Sequence, residues 1–541
     1  MSDWNFADVW DVVAATFPER PAVAQGAVRR SWTAFERRAA GLATTLQEAG
    51  LGYQAKVAQY LYNGPAYLES VYAAFKAGLV PVNTNYRYTD DELAYLWDNS
   101  DTEAVVFHSA FTDRVEGIRA RLGGVRLWIR VDGDGSAPAP EWALDYETAV
   151  SAPAHVAPAR RSGDDMLFIY TGGTTGLPKG VMWRQDDLFA VLNRTGEVRF
   201  GEQGDIDDVR ATLSRPAKHP PARLLPGPPL MHGTGLFTAM SVLNGGGSVV
   251  MPEGHHLDVR AMLDLIEQER VTQICIVGDA FAKPILAALD AEPGRWDLSS
   301  LWLMVSSGVM WSSEVKEGLL RHNPPMMLVD TLGSSEAVGM ARSTARAGEP
   351  TRTAGFELGP DTKVLAEDGR ELVPGSPEQG RVALRGRGPV GYYKDPEKSA
   401  ATFAVIDGER WTIPGDFATV GADGTVQLLG RGSVCINSGG EKIFPEEVEE
   451  ALKLHPGVAD AVVVGVPDDR FGEAVTALVE RRAGGPEASA GDLIDWVKGR
   501  LAAYKAPRRV VEVASIGRSP AGKVDYRRLR DEAIRRVAAS S

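Results

Sequence analysis

One stretch of the chain has the composition of a phosphate-binding loop. Residues 170–180 read Tyr-Thr-Gly-Gly-Thr-Thr-Gly-Leu-Pro-Lys-Gly. The glycines let the backbone approach a ligand closely, the threonine hydroxyls are hydrogen-bond donors, and the lysine supplies positive charge, which together suit a polyphosphate. The residues predicted to hold it are Thr171, Gly172, Gly173, Thr174, Thr175, Gly176 and Lys179.

The flanking residues predict the elements that position this loop. The apolar run at 166–169 predicts a buried strand before it, and the stretch from Gln185 predicts a helix after it. The sequence therefore predicts a strand-to-helix turn. In the common nucleotide-binding loop, Ser or Thr directly follows Gly-Lys, whereas here Gly180 follows the lysine. A different class of phosphate loop is indicated.

The loop resembles the signature loop of the adenylate-forming superfamily, which comprises acyl-CoA synthetases, nonribosomal-peptide adenylation domains and luciferases. The resemblance continues downstream in the order of the superfamily's motifs, which is more specific than any single motif. The segment at 391–396 resembles the sixth motif and is assigned to the scaffold. The matching segments are 229–235, 330–336, 380–386, 391–396, 411–416, 430–431, 438–449 and 518–525.

The resemblance implies roles for four residues in the reaction: Thr171 in the phosphate loop, His232 beside the carboxylate being activated, Glu336 as a Mg²⁺ ligand, and Lys523. An ammonium group lowers the repulsion between an attacking carboxylate and an anionic α-phosphate, which is the role the resemblance gives to Lys523. A carboxylate at 336 suits Mg²⁺, a hard cation that also binds phosphate oxygens.

The resemblance also implies how ATP and CoA are held. Leu332 stands where relatives carry an aromatic residue over the adenine, and Ser335 stands where they carry Thr. Ser433 occupies the hinge position about which the small domain of relatives rotates. The residues implied to contact nucleotide or CoA, beyond the phosphate loop, are Ser307, Gly308, Leu332, Gly333, Ser335, Asp416, Arg431, Gly439 and Gly440.

The acid pocket is predicted to be uncharged and largely apolar. Amino-acid-activating relatives carry an aspartate just after the aromatic residue of the fourth motif to hold the substrate amine, and some aryl-acid relatives carry Asn after the histidine, whereas here Gly233 follows His232. The expected reaction is activation of a carboxylic acid as an acyl-adenylate and its transfer to CoA, with a fatty or steroid-side-chain acid as substrate. The alternatives are the same adenylation with an amine or carrier-protein acceptor, including nitrite activation for diazotisation, and a non-catalytic nucleotide-binding homologue. The predicted pocket residues are His232, Gly233, Thr234, Phe237, Val277 and Val309.

Length and periodicity predict the domains that carry these residues. A chain of 541 residues exceeds one ordinary core. Helical and strand patterns alternate up to about residue 330, which predicts an α/β fold of layered, mostly parallel sheets with helices. We expect an N-terminal domain at 1–431 and a small, mobile α+β C-terminal domain at 432–541. The irregular, proline-containing stretches at 131–165 and 201–229 predict surface connections.

Composition limits the partners and the setting. A net charge of −14 argues against nucleic acid as a partner, because no basic surface balances the acidic groups. The two cysteines are far apart, which argues against a disulfide framework and for a reducing cytoplasm. We expect neither a signal peptide nor a transmembrane segment. The expected partners are a small carboxylic acid, ATP and CoA, and a homodimer is left open.

Overall fold

The computed structural model describes residues 3–133, 135, 138–154, 161–171, 178–216, 219–309, 311–431, 434–438, 441–468, 472–501, 503–519 and 524–540. The α-helices of these residues are, in chain order, α1 (Phe6–Thr16), α2 (Trp32–Glu48), α3 (Pro65–Lys76), α4 (Asp90–Asn99), α5 (Thr112–Arg119), α6 (Tyr146–Val150), α7 (Gln185–Thr195), α8 (Ile206–Leu213), α9 (Gly233–Asn244), α10 (Val259–Gln268), α11 (Gly278–Ala291), α12 (Ser313–His322), α13 (Pro396–Thr402), α14 (Pro445–Lys453), α15 (Ala490–Lys498) and α16 (Tyr526–Ser540).

The strands are, in chain order, β1 (Pro21–Gln25), β2 (Val28–Ser31), β3 (Lys56–Tyr60), β4 (Val80–Asn83), β5 (Thr102–His108), β6 (Leu127–Val131), β7 (Leu144–Asp145), β8 (Met166–Thr171), β9 (Lys179–Arg184), β10 (Arg223–Pro226), β11 (Ser248–Met251), β12 (Gln273–Ile276), β13 (Leu303–Ser307), β14 (Met327–Leu332), β15 (Ala341–Ala345), β16 (Gly355–Leu358), β17 (Thr362–Leu365), β18 (Gly380–Arg385), β19 (Gly391–Tyr392), β20 (Phe403–Ile406), β21 (Glu409–Thr412), β22 (Asp416–Val420), β23 (Val426–Arg431), β24 (Ile436–Ser438), β25 (Glu441–Ile443), β26 (Val458–Asp468), β27 (Gly472–Arg481) and β28 (Arg509–Val513).

The described residues form two compact units. The larger unit contains the described residues within 3–171, 178–353 and 385–412, and the smaller contains those within 354–384 and 413–540. The predicted domain boundary, between residues 431 and 432, falls beside residues that lie outside the described part of the chain. That boundary stays a prediction.

Two mostly parallel sheets form the larger unit. In the first, β1, β11, β10, β12, β13 and β14 run parallel in that order, and β2 and β15 pair antiparallel at the two ends. In the second, β8, β4, β3, β5, β6 and β7 run parallel, and β9 followed by β19 extends the β8 side antiparallel. The predicted α/β class is confirmed.

The strand sequences explain this architecture. Strands β4, β11 and β12 are buried at every position, as expected where helices cover both faces of a parallel sheet. Helix α4 begins with a capping box, in which the Thr89 side chain accepts from the backbone of Glu92 and the Glu92 side chain accepts from the backbone of Thr89.

The strands of the smaller unit form two groups. Strands β16, β23, β22 and β18 lie side by side, with β17 antiparallel to β18. In the other sheet the order is β25-β24-β27-β26, and β28 joins β27 in parallel. Val448 and Leu452 of α14 are buried in the same apolar cluster as Val463 and Val475 of this second sheet. The predicted α+β character of the C-terminal region is confirmed.

Two sequence predictions about connections are wrong. The phosphate loop precedes a strand, β9, and α7 begins only after that strand, because Val181, Met182 and Trp183 form an apolar run that pairs with β8. The stretch at 201–229 contains α8 and also β10, which lies between β11 and β12 inside a sheet. Likewise β7 and α6 lie within 131–165.

Among the described residues, no helix combines the length and the apolar character that crossing a bilayer requires.

Candidate functional site

The predicted phosphate loop connects two antiparallel strands of the larger unit. Thr171 is the last residue of β8, Lys179 is the first residue of β9, and these two residues are paired across the ladder. The hairpin therefore brings the two ends of the predicted phosphate site together. Outside the described part of the chain lie the loop residues Gly172, Gly173, Thr174, Thr175 and Gly176.

The ammonium group of Lys179 has a carboxylate partner. Its Nζ lies 2.6 Å from Oδ2 of Asp395, and the two side chains are 35% and 30% exposed. The other carboxylate oxygen, Oδ1, accepts a hydrogen bond from the backbone N–H of Lys398 in the first turn of α13. The bond from Lys179, aided by this backbone bond, lowers the pKa of Asp395. Because this ion pair reaches solvent, the ammonium can exchange its carboxylate for the oxygens of an arriving phosphate.

The predicted metal ligand, Glu336, lies on a turn that follows β14. The Ser334 hydroxyl accepts hydrogen bonds from the backbone N–H groups of Glu336 and Ala337. Oε1 of Glu336 accepts a hydrogen bond of 2.9 Å from the hydroxyl of Tyr392. From β9, the indole N–H of Trp183 donates to the carbonyl of Ser335 at 2.8 Å. The turn is therefore held by two elements that also border the phosphate hairpin.

Three of the predicted site residues converge at the start of α9. His232 is the N-cap of this helix and Gly233 is its first residue. A Cβ added at Gly233 would lie 3.4 Å from the Phe237 ring and 3.5 Å from Oγ of Ser335. At Gly235 the added atom would lie 2.8 Å from the Pro229 carbonyl oxygen, so the helix start approaches the preceding backbone closely. Thr234 belongs to the same turn.

A second group of predicted residues lies at the ends of β12 and β13. Ser307 ends β13, and Gly308 follows with φ +92°, a backbone conformation that favours glycine. A Cβ at Gly308 would lie 4.0 Å from the Val277 side chain. Val309 packs against the apolar cluster that contains Val277. The adjacent Leu332, which ends β14, is buried at 8% exposure, and the predicted nucleotide-contacting Gly333 follows it.

Sequence reasoning missed Asn83, a buried polar residue at the end of β4. Its Nδ2 donates to the carbonyl oxygens of Tyr170, at 3.0 Å, and Met231, at 2.6 Å. Its Oδ1 accepts from the backbone N–H of Tyr170 at 2.6 Å. The amide thus makes the hydrogen bonds to β8 that the backbone of β4 would make if that strand were longer. It also links the phosphate hairpin to Met231, the residue before His232. The only sequence signal is an asparagine ending an otherwise apolar strand.

A buried ion pair lies behind the predicted adenine region. Nζ of Lys316 is 3.2 Å from Oδ2 of Asp330, and both side chains are at most 5% exposed. The same ammonium donates to the carbonyl of Arg352. Burial raises the pKa of Asp330 to about 6, and the nearby charge of Lys316 opposes that rise. Asp330 lies two residues before Leu332, so this pair anchors the strand that ends at the predicted adenine-contacting residue.

The remaining predicted residues belong to the smaller unit. Asp416 begins β22 and is paired in register with Arg431, the last residue of β23. The two residues expected to hold the ribose are therefore neighbours on one ladder. Outside the described residues lie Gly439, Gly440 and Lys523.

The described residues contain no group of three or more His, Cys, Asp or Glu side chains that would hold a metal ion by themselves. Oε2 of Glu336 receives no hydrogen bond from any described residue, whereas Oε1 is bonded to Tyr392. Mg²⁺ in nucleotide sites commonly uses one or two carboxylates and completes its shell with phosphates and water. The Glu336 carboxylate, with Oε2 available next to the phosphate hairpin, fits a Mg²⁺ ion of this kind.

Comparison with known proteins adds independent evidence. The family model described as "AMP-binding enzyme" matches residues 10–393, and that described as "AMP-binding enzyme C-terminal domain" matches residues 447–523. The medium-chain acyl-CoA ligase Mig of Mycobacterium avium is 40% identical over 539 residues, which cover 96% of this chain and 97% of the relative. A 3-oxocholest-4-en-26-oate–CoA ligase of Rhodococcus rhodochrous is 40% identical over 545 residues, covering 98% and 96%.

A solved structure with a similar fold is the amide bond synthetase McbA of Marinactinospora thermotolerans. It superposes with a TM-score of 0.80 at 25% identity and covers 97% of this chain and 99% of that chain. The two family matches together span most of the sequence, from residue 10 to 393 and from 447 to 523. The chain therefore belongs to the family of AMP-binding enzymes, as its resemblance to the adenylate-forming superfamily predicts.

Proposed function

We propose that this protein is an ATP-dependent, AMP-forming acyl-CoA ligase. The observation that carries the proposal is 40% identity over nearly the whole chain to enzymes named as acyl-CoA ligases. The aligned lengths cover 96% and 98% of this chain. The sequence motifs and the family matches support the same reaction.

The reaction proceeds in two steps. In the first, an oxygen of the substrate carboxylate attacks the α-phosphorus of ATP. The bond from that phosphorus to the bridging oxygen breaks, and pyrophosphate leaves. In the second, the sulfur of CoA attacks the acyl carbonyl carbon, AMP leaves with the electron pair, and the thiol proton is released. The mixed anhydride is needed because AMP is a far better leaving group than an oxide ion.

The larger unit supplies most of the ATP site in this proposal. Residues 171–180 hold the β- and γ-phosphates. The Lys179 ammonium exchanges its ion pair with Asp395 for one with a phosphate oxygen. Glu336 holds Mg²⁺, which when bound neutralises charge on the phosphates. Ser307, Gly308, Leu332, Gly333 and Ser335 surround the adenine and the adjoining phosphate, in the positions that the resemblance implies.

We assign the acid to the region at the start of α9. The supporting geometry is the close approach of Gly233 to Phe237 and Ser335, directly after His232. Val277 and Val309, which pack in one apolar cluster, are the predicted lining. Apolar lining without a charged group to hold an amine suits a hydrocarbon acid. The substrate is a fatty acid or a steroid-side-chain acid, the classes named for the relatives.

The resemblance assigns the remaining roles to residues of the smaller unit. Asp416 and Arg431 hold the ribose, and Lys523 balances charge between the carboxylate and the α-phosphate. A domain at 432–541 then rotates about Ser433, so that Gly439 and Gly440 face the pantetheine arm of CoA. Support comes from the motif match and from the pairing of Asp416 with Arg431 on one ladder.

The experiment is mass spectrometry of products formed with MgATP, with and without CoA. The substrates are medium-chain, long-chain, aryl and steroid acids, and nitrite with an aryl amine. We expect an acyl-CoA from a fatty or steroid acid and AMP in equal amount. Pyrophosphate and adenylate without thioester would instead favour a different acceptor, the alternative that the fold shared with an amide bond synthetase keeps open. Absence of any ATP-dependent product would reject the proposal.

The proposed setting is the cytoplasm, because two widely separated cysteines suit a reducing compartment. Sedimentation of the purified protein decides between a monomer and a homodimer.

A further inference from the structure

The segment after β18 contacts two charged residues of the predicted MgATP site, Lys179 and Glu336. Strand β19 pairs antiparallel with β9, with Gly391 opposite Met182 and Tyr392 opposite Val181. The backbone N–H of Tyr393 then donates to the carbonyl of Gly180 at 2.8 Å. This main-chain ladder fixes β19 against the strand that begins at Lys179, so its side chains approach the phosphate hairpin in a defined register.

The Tyr392 side chain is held rigidly from both ends. The residue is 6% exposed, and its ring packs against Phe403 with centroids 5.3 Å apart. Its backbone N–H donates to Oγ of Ser399 at 2.8 Å. A buried ring on a paired strand has little freedom, so the hydroxyl is delivered to one place, Oε1 of Glu336 at 2.9 Å.

One hydrogen bond to one carboxylate oxygen orients the other oxygen. With Oε1 bonded to Tyr392, the Glu336 carboxylate is held against rotation, and Oε2 is the oxygen that no described residue bonds. The backbone of the same turn is fixed independently, by Ser334 and by Trp183. The tyrosine hydroxyl therefore sets the side-chain direction and leaves the fold of the turn to other contacts.

We propose that Tyr392 is a positioning residue that orients Glu336 to receive the Mg²⁺ of MgATP. The sixth motif, which sequence reasoning assigns to the scaffold, thereby takes part in metal binding. The inference rests on the proposed function, since Glu336 is a metal ligand only if the protein binds MgATP. Outer partners that orient a ligating carboxylate commonly affect metal affinity by about tenfold or more.

The chain offers a matched control one residue away. The hydroxyl of Tyr393 also donates to a carboxylate, Oδ2 of Asp101 at 2.7 Å. Asp101 carries a second partner, Lys394, and lies at the exposed rim of the same sheet. Tyr393→Phe therefore removes the same kind of hydrogen bond as Tyr392→Phe, from the same segment, without touching Glu336.

The test is calorimetric binding of ATP in the absence of acid, at a series of Mg²⁺ concentrations. We expect Tyr392→Phe to raise the Mg²⁺ concentration at half-maximal ATP affinity by about three- to tenfold, the effect of one hydrogen bond to a charged group acting indirectly. Its melting temperature and its KM for the acid should match those of the wild-type protein. Tyr393→Phe should leave the Mg²⁺ midpoint unchanged.

A double-variant cycle separates positioning from direct contact. In a Glu336→Gln background, Tyr392→Phe should change the Mg²⁺ midpoint no further, because the hydroxyl that it removes bonds to that carboxylate, whereas the ring whose centroid lies 5.8 Å from Nζ of Lys179 is kept. Additive effects, or equal effects of Tyr392→Phe and Tyr393→Phe, would overturn the inference. An unchanged midpoint in Tyr392→Phe would overturn it as well and leave the ligase proposal standing. A wild-type protein that binds no MgATP would reject the proposed function itself.

Discussion

Replacing Asn83 with Leu should impair catalysis far more than it impairs folding. The side chain makes three buried hydrogen bonds, two with Tyr170 and one with Met231, at 2.6–3.0 Å. At about 1 kcal/mol net for each, their loss should lower the free energy of unfolding by about 3 kcal/mol. The same change removes the link that Asn83 makes between Tyr170, near the end of β8, and Met231, the residue before His232. A displacement of about 1 Å at a reacting group can lower the rate about 100-fold.

Asn323 provides the control for this substitution. It is also buried, and its Nδ2 donates to the carbonyls of Leu298 and Leu301, neither of which is a predicted site residue. Asn323→Leu should lower the free energy of unfolding by about 2 kcal/mol, because it removes two bonds of the same kind.

Two assays distinguish the asparagines. Pyrophosphate release with varied ATP reports kcat/KM, and urea unfolding reports stability. We expect Asn83→Leu to lower kcat/KM about 100-fold and Asn323→Leu to lower it less than threefold. The reasoning is refuted if the two variants lose the same activity, because Asn83 would then contribute only to stability.

Three further predictions follow from the ion pairs and the small domain. Asp395→Asn should tighten ATP binding by up to about fivefold, since Lys179 loses a competing partner; weaker binding, measured by calorimetry, would contradict this. Because the pKa of Asp330 is raised to about 6, its ionisation opposes folding as pH rises from about 4 to 6. Wild-type stability should therefore fall by about 3 kcal/mol more across this interval than that of Lys316→Met/Asp330→Leu; an equal change of the urea midpoint between pH 4 and 6 in the two proteins would exclude it. Lys523→Ala should abolish adenylate formation yet spare thioester formation from supplied acyl-adenylate, and equal loss of both would remove its role.

The sequence predicts the α/β class well because buried parallel strands leave a strong local signal. The runs at 104–107 in β5 and 274–276 in β12 are apolar and buried at every position, as expected for strands inside a parallel sheet. Strand β10 carries a weaker signal. Arg223 begins it and Pro226 ends it amid further prolines, yet it lies inside a sheet, because its neighbours β11 and β12 supply pairing that local composition does not report.

The sequence motifs predicted which residues contact the substrates, but not which other residues hold those side chains in place. Lys179 and Glu336 were predicted as site residues, whereas their partners Asp395 and Tyr392, 216 and 56 positions away, lie in a recognised motif that was assigned to the scaffold. Asn83 is 148 positions from Met231. A contact of this kind depends on which elements the fold brings together, and neither periodicity nor spacing along one chain carries that information.

The placement of β19 has a consequence for the order in which the protein folds during synthesis. The ribosome releases β8 and β9 long before Gly391, so the outer edge of β9 stays unpaired while the intervening residues are made. An unpaired strand edge invites association with other chains. Nascent chains halted before Gly391 should therefore aggregate or engage chaperones more than chains halted after Asp395.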